Sequence, residues 1–172
     1  LYIDSVFDAV SRTDSESDLA EIRRELREQG YLKGGVRADE KVKKTSAPLR
    51  FRSSEGFEIL VGRNNRQNDQ LTLKTAKAGD IWLHTQGIAG SHVIICTEGK
   101  QPGEQTLFEA AQLAAYHSKG RSGSGVAVDY VPVKFVKKPA GSKPGMVIFT
   151  NNRTLFVTPD ENLVNSLKTD SK

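Results

Sequence analysis

Apolar positions in the first thirty residues recur at helical spacing. Tyr2, Val6 and Val10 are four apart, and Leu19, Ile22 and Leu26 follow an i, i+3, i+7 pattern. Ser15 to Asp18 supplies capping side chains between two helical pieces, Asp18 with Glu21 has the form of a capping box, and Gly30 is a stop. The second piece carries Glu21, Arg24, Glu25 and Glu28 on its outer face. So narrow a stripe fits either the base of a coiled coil whose remainder lies upstream, or an amphipathic helix packed on its own domain. Residues 34–47 are polar, Lys-rich and aperiodic, and read as a linker.

Beyond Pro48 the period shortens to two. Residues 49–53 and 57–62 predict strands joined across Ser54-Glu55-Gly56. An Asn-rich run over 62–70 then breaks the pattern, suited to capping a helix over 71–76 and to presenting hydrogen-bond donors. Residues 81–85 and 91–97 form a second hairpin. If it is symmetric about Ile88, His84 faces His92, Trp82 faces Ile94 and Asp80 faces Cys96. Asp80, Trp82, His84, His92 and Ile94 then share one face, and a slip of one residue would move the whole set to the other.

Thr106 to Glu109 has the form of a capping box, opening a helix that runs to Lys119-Gly120 and turns Leu107, Ala110, Ala111 and Ala114 inward. Strands follow at 125–133 and 134–136. A last hairpin pairs 146–150 with 154–158 around Asn151-Asn152-Arg153, and a short, fraying helix closes the chain after Pro159. About eight strands and one long helix make an α+β domain of mostly antiparallel sheet. The predicted organisation is a helical stub (1–33), a linker (34–47), the domain (48–160) and a tail (161–172).

Composition narrows the function. No apolar run approaches the ~20 residues of a membrane helix, and no basic-then-apolar leader opens the chain. It starts in mid-pattern, as a fragment of a longer protein would. One cysteine, Cys96, rules out an intrachain disulfide and favours a reducing compartment. Residues 1–47 balance nine Lys/Arg against ten Asp/Glu, whereas 48–172 hold sixteen against eleven. That surplus concentrates at 119–143 in Lys119, Arg121, Lys134, Lys137, Lys138 and Lys143, against Asp129 alone. Clustered cations of this kind suit a phosphate backbone.

Catalysis finds little support. A metal at His84 and His92 would need Asp80 or His117 as a third ligand, and HExxH and paired CxxC motifs are lacking. Cys96 lies in an apolar run, no spacing joins Asp80 to Asp129, and no Walker or Rossmann glycine pattern occurs. The expectation is a binding protein without cofactor, metal or catalytic residue. Asn64, Asn65, Arg66, Gln67 and Asn68 offer donors for base edges or sugar hydroxyls, and Arg63 a fork for phosphate. Equally, the Asn and Asp side chains serve turn backbone. Trp82 is either a stacking platform or core.

FEILVGRNNRQND (57–69), DIWLHTQGIAGSHVII (80–95), TLFEAAQLAAYHSK (106–119), VAVDYVPVKFVKKPAGSKPGMVIF (126–149) and the closing TLFVTP resemble the NFACT-R domain of the RqcH/NEMF/FbpA family. The stub, with DLAEIRRELREQGYLK (18–33), resembles the end of that family's coiled-coil and middle region. One departure is Ala89, where the family pattern has proline. The resemblance implies a cytoplasmic RNA- and ribosome-binding module in ribosome-associated quality control. Its implied partners are the large subunit with stalled peptidyl-tRNA, and tRNA or rRNA. In the family, tRNA recruited to such subunits extends the nascent chain with alanine, through an upstream domain not contained here. Bacterial members are also described as anchorless surface proteins binding fibronectin, a second class of partner. On this reading Arg63, Asn64, Asn65, Arg66, Asn68, Asp69, His84, Ser91 and His92 form one RNA-binding surface. Lys119, Arg121, Lys134, Lys137, Lys138 and Lys143 supply phosphate contacts.

Overall fold

A computed structural model describes residues 1–34 and 46–169. Most of the expected linker, residues 35–45, lies outside the described residues. The elements run α1 (Tyr2–Arg12), α2 (Glu16–Glu28), β1 (Leu49–Arg52), β2 (Glu58–Val61), α3 (Asn65–Gln70), β3 (Ile81–Thr85), β4 (Val93–Cys96), α4 (Glu104–Tyr116), β5 (Val126–Pro132), β6 (Val136–Lys137), β7 (Ile148–Phe149), β8 (Arg153–Val157) and α5 (Glu161–Ser166). The class is α+β, with a six-stranded antiparallel sheet in the order β1-β2-β4-β3-β5-β8 and a small sheet of β6 and β7.

Alternation along the strands divides the apolar residues between two faces. Ile59, Val61, Leu83, Val93, Ile95 and Val128 pack under α4, whose Ala110, Ala111, Ala114 and Ala115 let the helix lie close. Leu60, Trp82, Ile94 and Val131 point the opposite way, under Leu71, Val136 and Phe149. The central hairpin has the expected register, with Trp82 opposite Ile94 and Leu83 opposite Val93.

Four expectations are corrected. The Asn-rich run is itself the helix: Asn64 caps it by accepting from Gln67 N, and α3 passes straight into one π turn, Leu71–Thr75, closed by Ala76 N donating to Leu71 O at 2.8 Å. Helix α4 starts three residues before the expected position. Its first turn is capped from outside, by Glu55 of the β1–β2 turn, which accepts from Thr106 N at 2.9 Å and Thr106 Oγ at 2.6 Å. Glu109 instead accepts from Ser54 N and Oγ, both at 2.8 Å. The expected closing hairpin does not form, because β7 pairs with β6 while β8 crosses to the edge beside β5. Residues 134–136 are likewise no strand of the main sheet, since Val133–Phe135 is a 3₁₀ turn.

The helical stub packs on its own domain. Tyr2, Val6, Ala9 and Ile22 form a third apolar cluster, the Tyr31 ring lies tilted beside Tyr2 at 5.7 Å, and Val10 faces water. At the other end α5 is docked, with Val164 and Leu167 in the main core. Leu167→Ala is therefore expected to cost about 3 kcal/mol, as other buried leucines do. A urea melt checks this, and a loss below ~0.5 kcal/mol, the level of an exposed site, would show a frayed tail.

Candidate nucleic-acid interface

Between the start of α1, residues 85–90 and the 145–149 segment lies a cleft of about 340 Å³. Strand alternation puts Trp82, His84, His92 and Asp129 on its side of the sheet, and all four line it. The two histidines meet edge to face, ring centres 5.6 Å apart, and Trp82 stacks on His84 at 5.8 Å. Trp82 is 1 % exposed, so it is core and not a stacking platform. Its indole N–H is buried with no acceptor among the described residues.

His92 is fully committed inside the protein. Its backbone N–H donates to Asn68 Oδ1 at 3.1 Å. Nε2 lies 3.1 Å from Gly145 O, and a carbonyl only accepts, so Nε2 carries the proton. Nδ1 then accepts from Thr72 Oγ at 2.8 Å, a group that the π turn delivers. Burial, above all, holds the imidazole down to about 3, with His84 beside it adding to the effect. Burial also lowers His84, against the backbone groups of Gly90 and Thr85 and the Asp129 carboxylate. Asp129 Oδ1 accepts from Thr154 Oγ (2.7 Å), Asn152 Nδ2 (3.1 Å) and Gln86 Nε2 (3.4 Å).

The structure does not gather the expected binding residues on one open surface. Asn64, Asn65, Asn68, Ser91 and His92 are all buried. Asn64 Nδ2 donates to Glu21 at 2.8 Å, and Asn65 Nδ2 to Ser5 Oγ at 2.9 Å and Glu25 at 3.1 Å. Ser91 Oγ accepts from Arg12 at 2.8 Å. Gln67 bonds Ser46 and Arg63 N. Arg63 pairs with Asp18 and Arg66 with Glu28, both at 3.3 Å. The run therefore binds the stub, because buried amides must satisfy their hydrogen bonds and the stub supplies the partners. Neither charge nor spacing in the sequence links Arg12, Ser5 and Glu25 to these partners, which lie 79, 60 and 40 positions away.

The cations divide in two. Lys138 is internal, 3.3 Å from Asp69 and donating to the carbonyls of Lys143 and Met146. Lys143 lies over the rings of Tyr2 and Tyr31, at 5.8 and 5.3 Å. Asp69 also accepts from Gly145 N, and burial raises it against the pull of Lys138. Lys119, Arg121, Lys134 and Lys137 are exposed, and none has an ion-pair partner among the described residues. Arg121 lies flat on Tyr116 at 3.9 Å. The Lys134 N–H donates to Ala78 O, bringing Lys134 beside exposed Lys77. Among the described residues no three His, Cys, Asp or Glu are grouped to hold a metal, and no helix is long and apolar enough to cross a membrane. Cys96 is half-buried, and burial raises its thiol to about 11.

A histidine whose folded pKa lies below its ordinary 6.5 binds its proton less readily when folded. Its contribution to stability is complete above pH 6.5 and is lost as pH falls toward about 3 for His92 and about 4 for His117. The limiting slope is about 1.4 kcal/mol per pH unit for each ring. Buried Asp8, Glu25 and Asp69, raised by burial, act with the opposite sign. The ring nitrogens of His92 are expected to keep neutral-form ¹⁵N shifts from pH 7.5 down to 5. A titration midpoint near 6.5 would show the ring open to water.

Residues 48–151 match the family described as NFACT protein RNA binding domain. Over 169 residues the chain is 46 % identical to Rqc2 homolog RqcH of Bacillus subtilis and 44 % identical to that of Streptococcus suis. These alignments cover 97 % and 98 % of the chain but only 29 % and 30 % of the relatives, so it spans about three tenths of their length. Among solved structures it is similar to the C-terminal part of the fibronectin/fibrinogen-binding protein of Streptococcus suis. The TM-score there is 0.89 at 44 % identity, covering 98 % of this chain and 66 % of that one. With the family match extending over more than half its length, from β1 through the small sheet, the chain belongs to the NFACT RNA-binding domain family.

Proposed function

We propose that this chain is a non-catalytic RNA-binding module of a cytoplasmic ribosome-associated quality control factor. It would help hold that factor on large subunits with stalled peptidyl-tRNA while tRNA is recruited for alanine tailing. The observation that carries the reading is the set Lys119, Arg121, Lys134 and Lys137, exposed cations without ion-pair partners among the described residues, with Lys119 at the cleft. Such charges gain little from the fold and are available to phosphates, where counterion release drives association. The relatives named RqcH support the setting.

A second reading follows from β8. This strand is an edge of the main sheet and carries Phe156, which is 72 % exposed. An unpaired edge with an apolar anchor can accept an added strand from an extended partner. The fibronectin/fibrinogen-binding name of the similar structure suggests such a partner.

Anisotropy titrations with single-stranded RNA and tRNA across a salt series test the first reading, with immobilised fibronectin in parallel. Lys134→Glu with Lys137→Glu is expected to weaken RNA binding and to flatten the log–log salt slope by about 1.4, or ~0.7 for each lost single-strand phosphate contact. Saturable fibronectin binding, abolished by Phe156→Glu, with no RNA binding would reverse the order of the two readings.

A further inference from the structure

The charges around the cleft sort by depth. Lys119 and Asp4 are exposed where they line it, while Asp129 is buried. Its two imidazoles are held neutral by burial. A phosphate driven inward would meet the buried Asp129 carboxylate, so the interior suits an uncharged ring.

Three further side chain atoms decide which ring. Asn68 spends Oδ1 on His92 N, and its Nδ2 makes no hydrogen bond among the described residues. Asn65 spends Nδ2 on Ser5 and Glu25, and its Oδ1 accepts none. Asp129 gathers three donors on Oδ1, leaving Oδ2 without one. These residues are each 4 % exposed and all line the cleft. Unlike the sealed indole N–H of Trp82, these three atoms are open to the cleft, where a ligand can complete side chains that the fold has half satisfied. The half-buried rings of His84 and Phe149, both against Trp82, provide with Met146 and Val147 a mostly apolar wall. At about 340 Å³ the cleft is near the small end of ligand sites, of a size for one base and its sugar.

We propose that the cleft takes one unstacked nucleobase bearing an exocyclic amine, donated by single-stranded RNA whose phosphates stay outside near Lys119. The base stacks on the His84–Phe149 wall. Its amine donates to Asn65 Oδ1 or Asp129 Oδ2, and a ring nitrogen or carbonyl accepts from Asn68 Nδ2. With two acceptors to one donor, uracil is disfavoured, since its exocyclic groups are both carbonyls. The assignment rests on the RNA-binding reading and deepens it: RNA is held by charge and inspected one base at a time.

The only tryptophan of the chain, Trp82, lies on the cleft floor and reports occupancy by its fluorescence. The 172-residue chain is titrated with AMP, UMP, oligoadenylate, oligouridylate and an abasic oligomer of equal length. Trp82 emission is expected to change with AMP and oligoadenylate, and oligoadenylate to bind at least tenfold more tightly than the abasic oligomer. Asp129→Asn keeps an oxygen for Thr154 and turns the free acceptor into a donor, so it should cut that preference below threefold with the salt slope unchanged. Salt-dependent RNA binding that is blind to the base, with silent Trp82 emission, overturns the base site and leaves the RNA-binding reading intact. Silent emission with no RNA bound overturns both. An AMP response without any RNA binding overturns RNA as the source of the base. The abasic comparison requires no substitution, so the outcome does not depend on how Asp129→Asn folds.

Discussion

A neutral imidazole sealed beneath the cleft is the constraint on which the surrounding structure depends. His92 is 2 % exposed, and each of its polar groups must find a partner inside the protein. Thr72, Gly145 and Asn68 supply them from two separate pieces of chain, the continuous α3 and π turn and the loop at Gly145. Each partner imposes a condition of its own. Thr72 reaches the ring from a π turn, in which one extra residue re-aims a side chain that regular helix would point elsewhere. Gly145 has φ +78°, and a Cβ there would come within 2.5 Å of Asn65 Oδ1. The loop, the π turn and the sheet are thus tied by one side chain, and the cleft lies where they meet.

The same reasoning fixes the N-terminal helices. Glu25 is 2 % exposed and accepts from Tyr2 Oη at 2.6 Å and Asn65 Nδ2 at 3.1 Å. Arg12 joins Asp8 to Ser91 on the strand side of the cleft. Buried hydrogen bonds to charged groups contribute roughly 1.5–3 kcal/mol each, and breaking one strands its partner in a dry environment. The small apolar cluster of Tyr2, Val6, Ala9 and Ile22 alone would hold two short helices poorly. Polar bonding therefore makes them part of the domain, with Leu1, Asp4 and Ser5 forming one wall of the cleft.

What the sequence revealed follows the range of the interactions involved. The central hairpin was legible down to its register, because period-two alternation and a five-residue gap are local and a slip would bury the wrong face. The sharing of one face by Trp82, His84 and His92 came from that register alone. The Asn-rich run was misread for a physical reason: an amide that reads a base and one that bonds a neighbouring helix look identical until the neighbour is known. Likewise the first turn of α4 is capped by Glu55, fifty-one residues away, so a local capping box was credited instead. Residues 146–158 carry a good turn signal at Asn151-Asn152. Pairing there is decided by which sheet edges are free, β5 taking β8 and β6 taking β7. Among the cations, no local pattern separates Lys138, claimed by Asp69, from exposed Lys137.

That last division bears on how the surface works. Screening at physiological salt has a length of about 8 Å, so the exposed cations act on a polyanion mainly at contact and yield to added salt. Groups inside the cleft are less open to ions, and on the proposed reading they would respond to shape and hydrogen-bond pattern instead. On the proposed reading, affinity and discrimination would fall to different residues, Lys134 and Lys137 on one side, Asn65, Asn68 and Asp129 on the other. The two sets also differ in what they require of the fold. A surface lysine needs only to be exposed, whereas the amides must be held with one half of each side chain already used. Because the network around His92 and Glu25 does that holding, damage to it should change selectivity before it changes charge-driven binding.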